Sequence, residues 1–215
     1  MIELTDQTAD IVADRFRALG DATRLRILNA LRAEERTRRF AEGLQLLGSL
    51  ELERARALFR SLREDYPDDK EVLLQLYNAE KFNPASDSYH RTARHILSLP
   101  GNEADITKCI HETFCDYLST TRGKIRIGSS ILVQLAIRFT KTGHLETAER
   151  IVCTLLRGRS DTAGLDGALL LLAKAWQLAR NDDKHKHYLE ELTRHFPRSE
   201  AAAGVRQALA HGDSG

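Results

Sequence analysis

Cysteine, proline and tryptophan are all scarce in this chain of 215 residues, which holds three, four and one of them. The three thiols, Cys109, Cys115 and Cys153, are odd in number and each falls in a helical pattern. That excludes a disulfide framework and leads us to expect a reducing, cytoplasmic setting. Pro67, Pro84, Pro100 and Pro197 all stand outside strong helical periods, where a helix should stop or a loop should turn. An excess of one charge is also missing. Lys+Arg 32 against Asp+Glu 31 leaves a net charge of +1, so attraction to nucleic acid or an anionic membrane would have to come from a local patch. The densest apolar runs, Ile131–Ile137 and Ala168–Ala173, fall far short of the ~20 residues a bilayer requires, so no membrane partner is expected. The opening MIELTDQTAD is acidic and lacks the apolar region of a secretory signal. Period-two alternation and Asn-Gly hairpin turns are absent, which leaves an all-α chain.

The motifs of common enzyme chemistry are missing as well. There is no Gly-x4-Gly-Lys-Ser/Thr or Gly-x-Gly-x-x-Gly to cradle phosphates, no Gly-x-Ser-x-Gly to present a nucleophile, and no His-Glu-x-x-His to hold zinc. No enzymatic activity and no cofactor are expected. His111 and Cys115, at i, i+4, share a helix face, but Cys109 lies on another side, so the four-ligand shell of a structural zinc is incomplete. They read as a surface histidine beside an incidental thiol. Lys184-His185-Lys186-His187 reads as a solvated stretch, because i, i+2 residues of a helix point apart. No metal site is expected.

What is present is helical periodicity, clearest over Ser129–Arg159. Leu132, Leu135, Ala136 and Phe139 form one apolar stripe. After Lys141-Thr142-Gly143-His144 a second appears at Leu145, Ala148, Val152 and Leu155. Gly143 suits the left-handed position that ends a helix. The unit reads as two antiparallel helices whose apolar faces need neighbours of the same kind.

At the other end, residues 1–37 read as two helices. The first spans about Thr8 to Leu19, with Ile11, Val12, Phe16 and Leu19 on one side, and Gly20 ends it. Asp21 can cap the second, Ala22 to about Glu34, with Leu25, Ile27, Leu28 and Leu31 as its apolar side. The run Ala13-Asp14-Arg15-Phe16-Arg17-Ala18-Leu19-Gly20-Asp21-Ala22-Thr23-Arg24-Leu25-Arg26-Ile27-Leu28-Asn29-Ala30-Leu31 resembles the start of ArsR-type winged-helix transcriptional regulators. The resemblance implies dimerisation through these helices and a DNA-reading helix-turn-helix with a β-hairpin wing further on. On that reading Phe40–Leu47 is the positioning helix, Gly48-Ser49-Leu50 the turn and Glu51–Glu64 the recognition helix, whose DNA contacts would be Arg54, Arg56, Arg60 and Arg63. Tyr66-Pro67-Asp68-Asp69, however, leads into another helical pattern where the wing should be. Residues 36–50 also lack the cysteine pair that many metal-sensing relatives carry.

The second reading of Arg36–Tyr66 is a helical hairpin that resembles a tetratricopeptide repeat, a unit of about 34 residues. Gly43 and Ala55 are its small crossing residues, Phe59 and Leu62 pack below, and Pro67 closes it. This reading is preferred because it also accounts for the helical patterns beyond Pro67. A second hairpin spans about Lys70 to Leu99, with Leu73, Leu76, Tyr77, Ala93, Ile96 and Leu97 inward. An inserted helix, about Glu103 to Thr120, carries Ile106, Ile110, Phe114, Tyr117 and Leu118. Ser129–Arg159 is the third hairpin, and Asp161 to Phe196 the fourth. The first helix of the fourth, Leu165–Ala179, is apolar almost all round and is expected to be the most buried. A last helix, Glu200–Ala210, caps the stack, and 211–215 is expected to fray.

The expected fold is therefore a right-handed α-solenoid of antiparallel hairpins over residues 38–210, preceded by the two-helix segment 1–37. The tetratricopeptide resemblance implies an adaptor that binds a partner protein or peptide in a groove lined by first helices. Tyr77, Arg138 and Lys141 are the candidate groove residues. The window Arg122–Lys141, which holds Arg122, Lys124, Arg126, Arg138 and Lys141 with no acid, suggests an acidic peptide or a phosphate backbone as occupant. A homodimer through the N-terminal helices is the further partner expected, and DNA only on the regulator reading.

Overall fold

The computed structural model describes residues 21–212, and the helix expected over Thr8 to Leu19 lies outside them. Among the described residues there are ten helices and no strand. The wing that the regulator resemblance implies is therefore not found there. The chain divides into two compact units, one ending at Ala79 and the other beginning at Glu80, inside the hairpin expected over Lys70–Leu99.

The first unit holds α1 (Asp21–Gly48), α2 (Leu52–Asp65) and most of α3 (Lys70–Glu80). Helix α1 corrects the sequence reading, which places a stop near Glu34. It runs unbroken for 28 residues because Ala33–Phe40 contains neither glycine nor proline. The polar run there is a solvated helix face, not a linker, and Glu35 pairs with Arg38 at 2.8 Å along it. Leu25, Ile27, Leu28 and Leu31, expected as a packing side, are 59%, 36%, 43% and 56% exposed.

Helices α1 and α2 cross where Gly43 meets Phe59. A β-carbon on Gly43 would lie 2.5 Å from the ring's Cζ, so only glycine permits this approach. Ala55, Phe59 and Leu62 are fully buried with Val72 and Leu76, and Phe40 meets Phe59 edge to face at 5.8 Å. Polar ties frame this core. Arg36 reaches Asp69 at 2.6 Å and Glu71 at 2.8 Å, Arg39 reaches Asp65 at 2.7 Å, and the Tyr66 hydroxyl donates to the Arg32 carbonyl at 2.9 Å.

The second unit holds α4 (Asp87–Leu97), α5 (Ala104–Thr120), α6 (Ser129–Lys141), α7 (Leu145–Gly158), α8 (Leu165–Leu178), α9 (Asp182–His195) and α10 (Glu200–Gly212). Helices α4 with α5, α6 with α7 and α8 with α9 pack as pairs. Both helices of the α6–α7 pair rest on α8, and α10 covers part of α8 and α9, so from α6 onward each element buries a face its neighbour leaves open. The α6–α7 hairpin matches its sequence pattern closely: Leu132, Leu135, Ala136, Phe139, Ala148, Val152 and Leu155 are all buried.

Its turn closes with Gly143 at φ +82°. The Gly143 amide donates to the Thr140 carbonyl at 3.3 Å and the His144 amide to that of Phe139 at 2.8 Å, which satisfies carbonyls of the last helical turn. Three other helices end in the same way, at Leu50, Arg122 and Arg180, with φ of 60°, 52° and 56°. The amides of Glu51, Gly123 and Asn181 reach back to Leu46, Leu118 and Trp176, each at 2.9 Å.

Helix α8 is less covered than its composition suggests. It buries Leu165, Leu169, Leu172 and Trp176 on one face, whereas Leu170 is half-buried and Leu178 is 87% exposed.

Candidate functional site

Helix α6 carries its core stripe on one side and a polar series on the other. Ser130, Gln134, Arg138 and Lys141, spaced by four, four and three residues, lie along one face. Opposite them the chain leaves α4 through Ser98-Leu99-Pro100. Pro100 cannot continue a helix, and Gly101 then turns the chain at φ +94°. Together these walls enclose a cleft of about 470 Å³ whose lining contains Arg138 and Lys141 and no carboxylate.

Arg138 is the organised group of this cleft. Its Nη2 donates to the Leu99 carbonyl at 3.0 Å, which fixes the plane of the guanidinium. Its Nη1 is buried and meets no acceptor. A buried guanidinium nitrogen without a partner costs folding free energy unless something supplies an acceptor. Lys141 is exposed at the end of the same helix, and the amides of Asn102 and Gln134 add groups able to donate or accept.

The other basic residues of the window stand apart from this cleft. Arg122, Lys124 and Arg126 are exposed on the loop before α6, whereas Arg138 and Lys141 lie at its far end. Arg138 and Lys141 stand about 14 and 18 Å along this helix from its first residue at 1.5 Å per residue. What looks like one basic window in sequence is two basic surfaces in space.

The loop is held from behind by buried aromatic rings. The Arg126 amide donates to the Tyr117 hydroxyl at 3.2 Å, and that hydroxyl lies 2.9 Å from His90 Nδ1. Tyr117 stacks on Tyr89 at 5.7 Å. Burial, and then the nearby Arg126 charge, lowers the His90 pKa and keeps the ring neutral, so its Nδ1 can accept the hydroxyl proton. Burial raises the Tyr117 pKa and keeps the phenol protonated.

Tyr77 is not a groove residue. It belongs to the same stripe as Leu73 and Leu76, and all three are buried, Tyr77 to 2% exposure. The four arginines named for DNA contact are not gathered on one free surface. Arg56 turns inward, its Nε donating to the Ala79 carbonyl at 3.0 Å and its guanidinium pairing with Glu53. Arg54 pairs with Glu51 at 2.5 Å, Arg60 is exposed and Arg63 is half-buried.

His111 is not the isolated surface histidine that its spacing suggests. It stacks on His144 with ring centroids 4.0 Å apart, meets the edge of Phe139, and lies 3.0 Å from the Thr147 hydroxyl. Burial, and then the neighbouring His144, lowers its pKa. Cys115 Sγ is 3.8 Å away. Among the described residues no group of three or more His, Cys, Asp or Glu is placed to hold a metal ion.

Sequence reasoning does not reach Asn102, Gln134 and the Leu99 carbonyl as cleft components. The polar series on α6 opposite its core stripe is the available signal for Gln134. Nothing local marks a carbonyl 39 residues from its arginine.

Comparison with solved structures places the chain beside three helical proteins. YrrB, described as a TPR protein with an unusual peptide-binding site, aligns with a TM-score of 0.32 and 12% identity over 84% of this chain and 97% of its own. TTC0263, a thermophilic TPR protein of Thermus thermophilus, aligns at 0.31 and 15% over 81% and 98%. PilW, a type IV pilus biogenesis factor, aligns at 0.30 and 15% over 79% and 97%. No protein-family model matches the sequence, and no curated protein does.

Proposed function

We propose that this chain is a non-enzymatic, tetratricopeptide-like adaptor that holds an acidic segment of a partner protein in the cleft between Leu99 and α6. The observation that carries this reading is the state of Arg138. Its Nη2 is spent on positioning the side chain and its Nη1 is buried without an acceptor, in a cleft that also holds Lys141 and offers no acid of its own. A carboxylate from outside that draws Nη1 out of its buried position would satisfy it and pair with Lys141, forming charge-assisted bonds with the guanidinium. The helix wall, with its side chains already fixed, leaves the partner to bear most of the ordering cost. The three free thiols fit the reducing compartment in which such an adaptor would serve.

The test is selection of binders to the full chain from a displayed peptide library. Acidic peptides are expected to be enriched, and R138Q should weaken them about tenfold or more, the equivalent of one charge-assisted hydrogen bond. Enrichment without acidic residues, or equal binding to parent and R138Q, would remove the reading.

A further inference from the structure

A larger cavity of the second unit lies elsewhere, among α8, α9 and α10, and has a volume of about 820 Å³. Its apolar wall is Leu170, Leu189, Ala201 and Val205, with Gly204 leaving an opening where a side chain would otherwise stand. A β-carbon at Gly204 meets nothing within 4 Å, so this glycine is not required by packing. The absence of a side chain there widens the groove.

The charges around the cavity are ordered. Turns of three and four residues join α8 to α9 and α9 to α10, so α8 and α10 run in the same direction. Asp166 and Glu200, each in the first turn of its helix, therefore mark one end of the groove. Lys174, eight residues beyond Asp166, stands about 12 Å along α8 toward the other end. His185 lines that end too, its Nδ1 held 2.9 Å from the Ala173 carbonyl. A carbonyl only accepts, so Nδ1 donates there.

We infer that this groove is a second binding site, taking an extended segment of a partner protein that reads basic–x–apolar–x–acidic. Four residues of extended chain span about 13 Å, which matches the separation of the acidic pair and Lys174. Side chains at alternate positions point the same way, so a cation over Asp166 and Glu200, an apolar side chain over Leu170, Leu189 and Val205, and an acid at Lys174 all face the groove together. The apolar side chain supplies most of the affinity, because Lys174 and Glu200 are exposed and their pairs are screened. The charges set the direction in which the segment lies. The site stands independently of the Arg138 cleft.

The same library selection on the full chain, read by fluorescence anisotropy with the enriched peptides, tests this site. A class of peptides with the basic–x–apolar–x–acidic order is expected. It should be weakened at least about tenfold by G204W, which fills the groove from an open position, and left intact by G204A and by R138Q. D166K/E200K, which leaves Lys174 in place, should replace the class by acidic–x–apolar–x–acidic peptides, and adding K174E should reverse the charge order. G204W and G204A melting no lower than the parent would show that the loss is not unfolding. The inference is overturned if no such class emerges, if G204W binds it as the parent does, if selected peptides lack charge order, or if a concentration-dependent dimer lost in G204W shows the groove filled by a second copy. Binding that appears only after residues 211–215 are removed would also overturn it, by assigning the groove to the chain's own tail.

Discussion

Gly43 of α1 lies directly beneath the ring of Phe59 on α2, so close that a β-carbon there would come 2.5 Å from Cζ. In an open helical position, replacing glycine with alanine gains about 1 kcal/mol. Here the methyl group must displace a fully buried ring, and overpacking of this kind costs about 1–3 kcal/mol. Gly43→Ala is therefore expected to lower the denaturation midpoint, and Gly204→Ala, with nothing near its β-carbon, to raise it. Equal gains from both would mean that α1 and α2 do not cross at Gly43.

The helix-ending turns give a second contrast. Leu50 and Arg180 occupy left-handed backbone with φ of 60° and 56°, and Gly143 fills the equivalent place at 82°. The left-handed conformation costs a residue with a side chain about 1–2 kcal/mol. The extra freedom of glycine in the unfolded chain offsets roughly 0.4–1 kcal/mol of that. Leu50→Gly and Arg180→Gly are each expected to stabilise by about 0.5 kcal/mol, and Gly143→Ala to destabilise, as measured by urea unfolding.

These turns also show what a sequence reveals about such a chain. Gly143 announces its turn because glycine is the usual residue in left-handed backbone, and the Ser129–Arg159 hairpin is legible for that reason and for its two clean stripes. Leu50, Arg122 and Arg180 adopt the same geometry with residue types that carry no such signal. The polar run Arg32–Arg39 looks like a break that α1 does not make, since solvated faces and linkers share a composition. Tyr77 invites a groove role by its type, yet its spacing with Leu73 and Leu76 already places it in the core. The cleft itself depends on Arg138 meeting a backbone carbonyl from a distant loop, a relation that no periodicity encodes.

The buried histidines make stability depend on pH. The His90 and His111 pKa values are both lowered from 6.5 by burial, so the unfolded chain takes up protons on these rings before the folded one does. Their contribution is complete above about pH 6.5 and is lost as pH falls below it toward the folded values. Unfolding free energy is expected to be smaller at about pH 5.5 than at about pH 7.5, with a shallower fall in His111→Gln. A parent whose stability is flat across this range would contradict the burial of these rings.

Tyr117 ties the basic loop to the core, accepting from the Arg126 amide at 3.2 Å. Tyr117→Phe removes that acceptor and the proton offered to His90. It is expected to cost about 1–3 kcal/mol, the penalty for leaving buried groups unpaired. Amide exchange at Arg126 should quicken more than at residues of α6. Unchanged exchange there would mean that the loop is held by other contacts.

The central claim is that an acidic segment lies against Arg138, and it is tested most directly by hydrogen–deuterium exchange of the full chain with and without an acidic peptide selected from the library. Protection is expected over residues 97–102 and 130–141, the two walls of the cleft, and should vanish in R138Q while the exchange of α8 stays unchanged. Protection that falls outside those walls, or that persists in R138Q, would contradict the account.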